Sequence, residues 1–308
     1  MIRPADGVGR VVSIPSLTTK RILVTGASGF IGSNLCARLS KDGAEVYAVS
    51  RAMQPFESAA VQVWQADISN YEALRSIFAE TKPHIVFHLA GYAQGSRSLE
   101  HVVPALVSNL VTTVNLLTIA TGIGCERIVL AGSQEEPDPG ESCATTFIPP
   151  SPYAASKSAG SAYARMFRAL YRSPVAIPRI FMTYGPGQRD LKKLIPYVIL
   201  SLLRGETPKM SSGARPLDWV YIDDVVDGLI LIASSSHVEG LSIPLGTGVT
   251  HTAREAAEKI VADLRTGSVD ITNGATHFEN VEAFGVPTWA KGAPVVAKIG
   301  RHTFWRIK

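Results

Sequence analysis

From Lys20 to about Ile180, short runs of aliphatic and β-branched residues alternate with longer stretches whose apolar positions recur every three or four residues. The short runs predict strands at Arg21–Thr25, Glu45–Val49, Val61–Gln65, Ile85–His88, Arg127–Ala131 and Pro174–Arg179. The longer stretches predict helices at Phe30–Lys41, Tyr71–Glu80, Val103–Thr121 and Pro152–Tyr171. Strands that alternate with helices imply a parallel sheet covered on both faces. Several of these strands are almost wholly apolar, as burial of both faces requires.

After Tyr184 the regularity loosens. A helical stretch at Leu194–Arg204 leads into a Ser/Gly-rich loop, a strand–helix unit (Trp219–Ile222, then Val225–Ala233) and a helix near Ala253–Leu264. The expected architecture is α/β: a Rossmann-type, doubly wound parallel sheet with a smaller C-terminal substrate-binding lobe. Residues 1–183 and 216–250 are assigned to the nucleotide-binding domain, and 184–215 and 251–308 to the lobe. No internal repeat is visible, and beyond about Gly267 the pattern predicts nothing.

Composition narrows the class. The chain has 308 residues, 46% hydrophobic and 18% charged, enough apolar material for a substantial core and too much for disorder. Net charge is only +4 with no basic run, so a nucleic-acid partner is not expected and an anionic small molecule is accommodated. Three cysteines, Cys36, Cys125 and Cys143, are an odd number and too few for a disulfide framework, which suits a reducing compartment. The first nineteen residues carry Arg3, Asp6 and Arg10 and no continuous apolar stretch, unlike a secretion signal. The apolar runs, Val225–Ala233 among them, are too short to span a bilayer. A cytoplasmic location without membrane partners is expected.

The first strand runs into Gly26-Ala27-Ser28-Gly29-Phe30-Ile31-Gly32, and a helix opens at once. In this spacing the first glycine permits a tight turn, the second lets the backbone approach a pyrophosphate, and the third lets helix pack on strand. A glycine turn between any strand and helix is the alternative, but the position at the first strand–helix junction favours a dinucleotide. Gly26, Ser28, Gly29, Phe30, Ile31 and Gly32 are therefore candidate cofactor contacts. The second strand ends in Ser50-Arg51, where an NAD enzyme usually places a carboxylate for the ribose hydroxyls. Arg51 can pair with a 2′-phosphate, so NADP is favoured with NAD possible, unless Arg51 is an ordinary surface arginine. Asp67-Ile68 suits the adenine pocket, although a lone Asp after a strand also serves as a cap or turn residue. Leu89, Ala90 and Gly91 end the fourth strand with small residues that let a cofactor lie close, and His88 before them is a packed histidine.

Tyr153 and Lys157 stand four apart behind Ser151-Pro152, a good N-cap and first-turn pair. Positions i and i+4 share a helix face, so phenol and ammonium can look into one cleft. A phenol titrates near 10 in isolation, and a neighbouring cation favours its ionised form, which is what acid–base work near neutrality requires.

Taken together, TGASGFIG, FHLAG, AGSQEE, SPYAASK and YGPGQ resemble the extended short-chain dehydrogenases, the NAD(P)-dependent sugar-nucleotide epimerase/dehydratase/reductase group. The resemblance covers about Lys20 to Leu264 in consistent order. It implies that Tyr153 is the acid/base and that Lys157 lowers its pKa while binding the nicotinamide ribose. Ser133 would hydrogen-bond the reacting oxygen, and Asn109 would support the cofactor side. A homodimer and a nucleotide-sugar substrate are expected on the same ground, with no metal.

The chain also departs from that pattern. Met182 stands where the family normally has an Asn that holds the sugar diphosphate, and Leu217 where an Arg precedes the Asp-aromatic pair Asp218-Trp219. Arg215 and Arg189, with Lys192 and Lys193, could supply the missing positive charge. Glu135, two residues after Ser133, occupies the spacing of a dehydratase Glu, but its neighbour Gln134 is neutral where dehydratases commonly carry an acid. The expected function is an NADP-dependent reductase of a nucleotide-linked keto-deoxysugar, of the 4-ketoreductase type. A sugar-nucleotide 4-epimerase or 4,6-dehydratase is the alternative, and a non-catalytic nucleotide sensor on the same fold is disfavoured by the intact Ser133, Tyr153 and Lys157.

Overall fold

The computed structural model describes residues 16–52, 61–137, 148–210 and 213–265, and three short strands beyond them. The segment before residue 16, Cys143 and most of the chain after residue 265 lie outside the described residues.

Seven strands make the main sheet: β1 Arg21–Thr25, β2 Glu45–Ser50, β3 Val61–Gln65, β4 Ile85–His88, β5 Arg127–Leu130, β7 Val175–Ile180 and β10 Ser242–Leu245. Their order is β10-β7-β5-β4-β1-β2-β3, and the two-residue strand β6, Gly132–Ser133, adds to β7. Every pairing in this sheet is parallel. The chain crosses over after β3 to start the second half on the far side of β1, the switch that opens a crevice at the strand ends.

Side-chain alternation along the strands supplies two separate cores. In β1, Ile22 and Val24 face a cluster with Leu35 and Leu39 of α1 (Phe30–Lys41) and Val225 and Leu229 of α7 (Ile222–Ser234). Leu23 faces the other side, with Leu74 and Phe78 of α2 (Tyr71–Thr81), Leu116 and Leu117 of α4 (Thr112–Ile123) and Phe167 of α5 (Pro152–Tyr171). Each such fully buried side chain contributes about 1.5–3 kcal/mol relative to exposure. The predicted helix Val103–Thr121 is α3 (Val102–Ala105), a π-helical turn at Leu106–Val111 and α4 in direct succession.

One expectation is corrected here. The helical stretch Leu99–Ile123 is long and apolar enough to cross a membrane by length and composition. Asn109, Thr112, Thr113 and Asn115 interrupt its apolar pattern, which hides its length in the sequence. Within the fold, Leu116, Leu117 and Ala120 pack on the sheet side.

Strands β8 (Met182–Tyr184), β9 (Pro216–Tyr221) and β11 (Thr250–Thr252) form a second sheet in the order β11-β9-β8. Helices α6 (Leu194–Leu203) and α8 (Ala253–Arg265) pack on each other beside it. Tyr184, Ile195, Val198, Trp219 and Ile260 from this region share one apolar cluster with β1 and α1. Buried Asp218 fixes its far edge by accepting from the backbone N–H groups of Thr247 (2.9 Å) and Gly248 (2.8 Å) and from the Thr247 hydroxyl. Further along, Val269–Thr272 pairs antiparallel with Thr276–His277 and Val296–Ile299.

Candidate active site

The strand ends of the crevice are stitched together by polar groups buried among apolar ones. Thr25 Oγ1 lies 2.7 Å from His88 Nδ1, and the Thr113 hydroxyl lies 3.2 Å from His88 Nε2. Burial, with the Lys157 charge adding to it, pushes the His88 imidazole down to about 3, so it is neutral at any working pH. His88 is thus a packed histidine that joins β1 and β4 to the start of α4.

A cleft of about 390 Å³ opens above this stitch. Gly26, Ser28 and Gly29 form one wall, Ser50, Arg51, Asp67 and Ile68 a second, and Leu89, Ala90 and Gly91 the floor. Gly26 has φ +69°, and a Cβ there would fall 2.5 Å from the Ala90 nitrogen, so only glycine allows β1 to turn this close to β4. Gly29 is the N-cap of α1 and carries no side-chain cap, which leaves the first-turn amides available to an anion. Phe30 and Ile31 lie in that first turn and pack against the core, outside the cleft lining. Gly32 is buried, and a Cβ on it would fall 2.2 Å from the Gly26 carbonyl oxygen: its role is helix–strand packing. Those three positions, predicted as contacts, therefore serve the cleft through backbone and packing. The Ser50 hydroxyl donates to the Ser28 hydroxyl at 2.9 Å and so ties the glycine turn to the end of β2. Asp67 Oδ1 accepts from the Ser69 N–H at 2.9 Å, and this bond, helped by Arg51, holds its carboxyl below the usual range. Asp67 is accordingly both turn residue and cleft wall. A shaped cradle with uncapped amides at a glycine turn fits a nicotinamide dinucleotide.

Asn109 lies in the π-turn, buried behind Gly91. Its Oδ1 accepts from Tyr92 N–H at 2.6 Å, and its Nδ2 donates to the Ser156 hydroxyl at 2.8 Å and the Tyr92 carbonyl at 3.3 Å. It joins the cleft floor to α5 and does not itself line the cleft.

The residues expected to form the acid–base set stand at the end of that floor. Ser151 caps α5, accepting from Ala154 N–H at 3.1 Å, and Pro152 occupies the first turn. Tyr153 is hydrogen-bonded to the Ser133 side chain, while Lys157 Nζ donates to the Ala131 carbonyl at 2.9 Å. A Cβ on Gly91 would sit 3.6 Å from Lys157 Nζ, so cleft floor and ammonium are in contact range. Burial raises the Tyr153 pKa, the Ser133 bond lowers it, and the carboxylates of Glu135 and Glu136 raise it. Burial lowers Lys157, and Glu136 raises it. The pull on the phenol expected from Lys157 is here exerted by Ser133. The balance of these effects raises the phenol above its ordinary value and favours its protonated form. Glu135 lies beside it, its Oε2 accepting from the Ser151 hydroxyl at 3.3 Å.

A second cavity, about 570 Å³, lies against the β8/β9 sheet. Met182 and Leu217 both line it, with Tyr197 and Trp219, and Lys192, Lys193 and Lys209 bring positive charge to it. Arg189 and Arg215, expected at the substrate site, are exposed and stand outside this lining. Lys209 and Met210 escaped sequence reasoning because they sit in a loop with no periodic signal. No group of three or more potential metal ligands occurs among the described residues.

Residues 22–243 match the family model described as the NAD dependent epimerase/dehydratase family. The UDP-glucose 4-epimerase of Mycolicibacterium smegmatis is 34% identical over 251 residues, 76% of this chain and 80% of that protein. Among solved structures, UDP-glucose 4-epimerase from Thermotoga maritima with UDP-glucose superposes with a TM-score of 0.69 at 25% identity, covering 78% of this chain and 81% of the other. A double mutant of DesIV, a dTDP-glucose 4,6-dehydratase from Streptomyces venezuelae with NAD bound, gives 0.69 at 27% identity, covering 79% and 80%.

Proposed function

Since this chain belongs to the NAD-dependent epimerase/dehydratase family and is an enzyme of the extended short-chain dehydrogenase type, we propose that it reduces a nucleotide-linked 4-keto-deoxysugar with NADPH. The observation that carries this reading is the continuity of the Arg51-walled cleft with the Ser133–Tyr153–Lys157 set, joined at Gly91. A nicotinamide cofactor bound in the cleft supplies the hydride. Arg51 would pair with a 2′-phosphate, and the uncapped turn at Gly29 with the pyrophosphate. Ser133 would donate to the substrate carbonyl oxygen, and Tyr153, held protonated, would deliver the proton that turns it into a hydroxyl. Lys157 would hold the ribose beside Tyr153. Lys192, Lys193 and Lys209 would meet the sugar diphosphate in the second cavity, with the base against its Trp219 and Tyr197 side.

The test is NADPH oxidation with a panel of nucleotide-linked 4-keto-6-deoxysugars. One NADPH should be consumed per product, and Tyr153→Phe should abolish turnover while still binding NADPH. Formation of a 4-keto-6-deoxy product from a nucleotide hexose, without net NADPH use, would replace this reading by a dehydratase. That second reading has one observation in its favour, the placement of Glu135 against Ser151 beside Tyr153. It also predicts cofactor that survives purification, visible in the absorbance of the isolated protein.

Dimerisation belongs to the same proposal. Leu99, Val102, Val103 and Leu106 are exposed on one helical run, and α5, which packs beside it, exposes Leu170 and Tyr171. Such an apolar surface supports a second copy as its cover. Two buried free thiols, Cys36 and Cys125, support a reducing, cytosolic setting.

A further inference from the structure

The turn that presents Ser133 is built on a buried charge with no part in the chemistry above. Glu136 Oε1 accepts from the Ser133 N–H at 2.6 Å, and the Glu136 N–H donates back to the Ser133 carbonyl at 3.1 Å. Behind this reciprocal pair, Arg179 of β7 donates from Nη2 to the Glu136 carbonyl at 2.6 Å and from Nε to the Ser133 carbonyl at 3.4 Å. Glu136 and Arg179 are both buried. The carboxylate presses on the strand itself: a Cβ on Gly132 would fall 2.8 Å from Glu136 Oε1. One residue earlier, the Ala131 carbonyl takes the Lys157 ammonium. Carboxylate, serine and lysine are thus fixed on three consecutive peptide units.

We propose that Glu136 is a positioning residue for this site: with Arg179 behind it, its carboxylate locks the Ser133 backbone and supplies the buried negative charge facing Tyr153 and Lys157. Burying a carboxylate is strongly unfavourable unless hydrogen bonds and positive charge compensate it. Its place in this turn is therefore matched to what it holds. The lock leaves the Ser133 hydroxyl free to bond the Tyr153 phenol. The charge opposes loss of the Lys157 proton in a dry site and raises the phenol pKa. The other charged or titratable groups facing this cluster are Arg179 from β7, His88 from β4 on the far side of Lys157, and Glu135 on the same turn.

The proposal rests on the reading of Ser133, Tyr153 and Lys157 as the reacting set, so its test uses no substrate and no cofactor. Protein labelled with 3-fluorotyrosine, whose phenol is intrinsically more acidic, is titrated by 19F NMR. The Tyr153 resonance is identified by its absence in Tyr153→Phe. Glu136→Gln keeps an acceptor for the Ser133 N–H and removes the charge, so the Tyr153 midpoint should fall by on the order of one pH unit. Glu136→Asp keeps the charge but retracts it from the Ser133 N–H, so the Ser133 amide should exchange with solvent about tenfold faster than in wild type, while the Tyr153 midpoint falls less than in Glu136→Gln. A residue that merely supports the fold would not divide the two readouts in this way. A Gln variant whose midpoint stays within about 0.2 units of wild type, where a lost neighbouring charge should show, overturns the electrostatic role. An Asp variant whose Ser133 amide exchanges at the wild-type rate overturns the positioning role and decides the matter if the Gln variant does not fold. Neither outcome depends on whether the enzyme reduces, epimerises or dehydrates its substrate.

Discussion

Alanine placed at Gly26, Gly29 and Gly32 should damage the protein in three different ways. At Gly26 the backbone is left-handed (φ +69°), and the new methyl would meet the Ala90 nitrogen at 2.5 Å and the Leu89 carbonyl carbon at 2.7 Å. An L-residue in that conformation costs about 1–2 kcal/mol, and forcing a methyl into packed backbone about 1–3 more. A loss of roughly 2–5 kcal/mol of folding stability follows from adding these two costs. Gly29 has φ −75°, open to any residue, and its Cβ would approach only the Gly26 carbonyl, at 3.1 Å. Stability should therefore change by less than about 1 kcal/mol, because reduced chain entropy offsets the tight contact. The methyl would nevertheless stand in the cleft wall, so NADPH affinity should fall about tenfold or more, roughly 1.4 kcal/mol. Gly32→Ala brings its methyl to 2.2 Å from the Gly26 carbonyl oxygen, away from the cleft, and should destabilise by an overpacking cost of about 1–3 kcal/mol. Urea unfolding gives the stabilities and NADPH fluorescence titration the affinities. Wild-type affinity in Gly29→Ala, or wild-type stability in Gly26→Ala, would refute the assignment of roles.

Three further outcomes are expected. Arg51→Ala should weaken NADPH by about 1.5–3 kcal/mol, nearer the lower figure because the side chain is exposed, and leave NADH almost unchanged in paired titrations; equal losses would mean that Arg51 does not recognise the 2′-phosphate. His88 ordinarily titrates at 6.5 but is held down to about 3, so between those values the unfolded chain binds the extra proton and stability falls as pH falls. The loss from pH 7 to pH 5 should be about 2 kcal/mol, and His88→Gln should lack that share of the slope in urea midpoints. Val103→Glu should shift the mass measured by light scattering from dimer to monomer with the unfolding midpoint of the subunit retained, and an unchanged mass would place the interface elsewhere.

Much of the sheet is legible because its signals are local. Arg21–Thr25, Val61–Gln65 and Ile85–His88 are bounded in the structure as their apolar runs predict, and Ser151-Pro152 starts α5 where capping chemistry places it. The missed strands lack such signals. β6 is two residues long, β10 contains Pro244 at the sheet edge, and β11 is Thr-His-Thr, so each exists only through a partner distant in sequence. The π-turn at Leu106–Val111 was hidden for the same reason, since it is where Asn109 reaches the Tyr92 backbone. Glu135 was visible from its spacing to Ser133. The importance of Glu136 was not, because it depends on Arg179, 43 residues away along the chain. Arg189 and Arg215 show the converse: their charge is legible in the sequence, whereas their position outside the second cavity is not.

Met182 and Leu217 acquire a meaning together that neither has alone. They lie on the adjacent strands β8 and β9, where Met182 pairs with Trp219 two residues beyond Leu217, and both face the second cavity. Two positions at which the family normally has polar ligands for a diphosphate are thus replaced on one wall, leaving it apolar, while the cations stand on the flanking segments at Lys192, Lys193 and Lys209. Lysine is a compact, mobile point charge, whereas arginine fixes a phosphate through a planar pair of hydrogen bonds. A diphosphate held by these lysines would be attracted strongly but oriented weakly. Orientation at the reacting carbon must then come from the other end of the substrate, where Ser133 and Tyr153 are held by the Glu136 turn and the capped start of α5. On the proposed reading, the hydrogen-bonded turn and the lysine rim would be complementary parts of one binding arrangement.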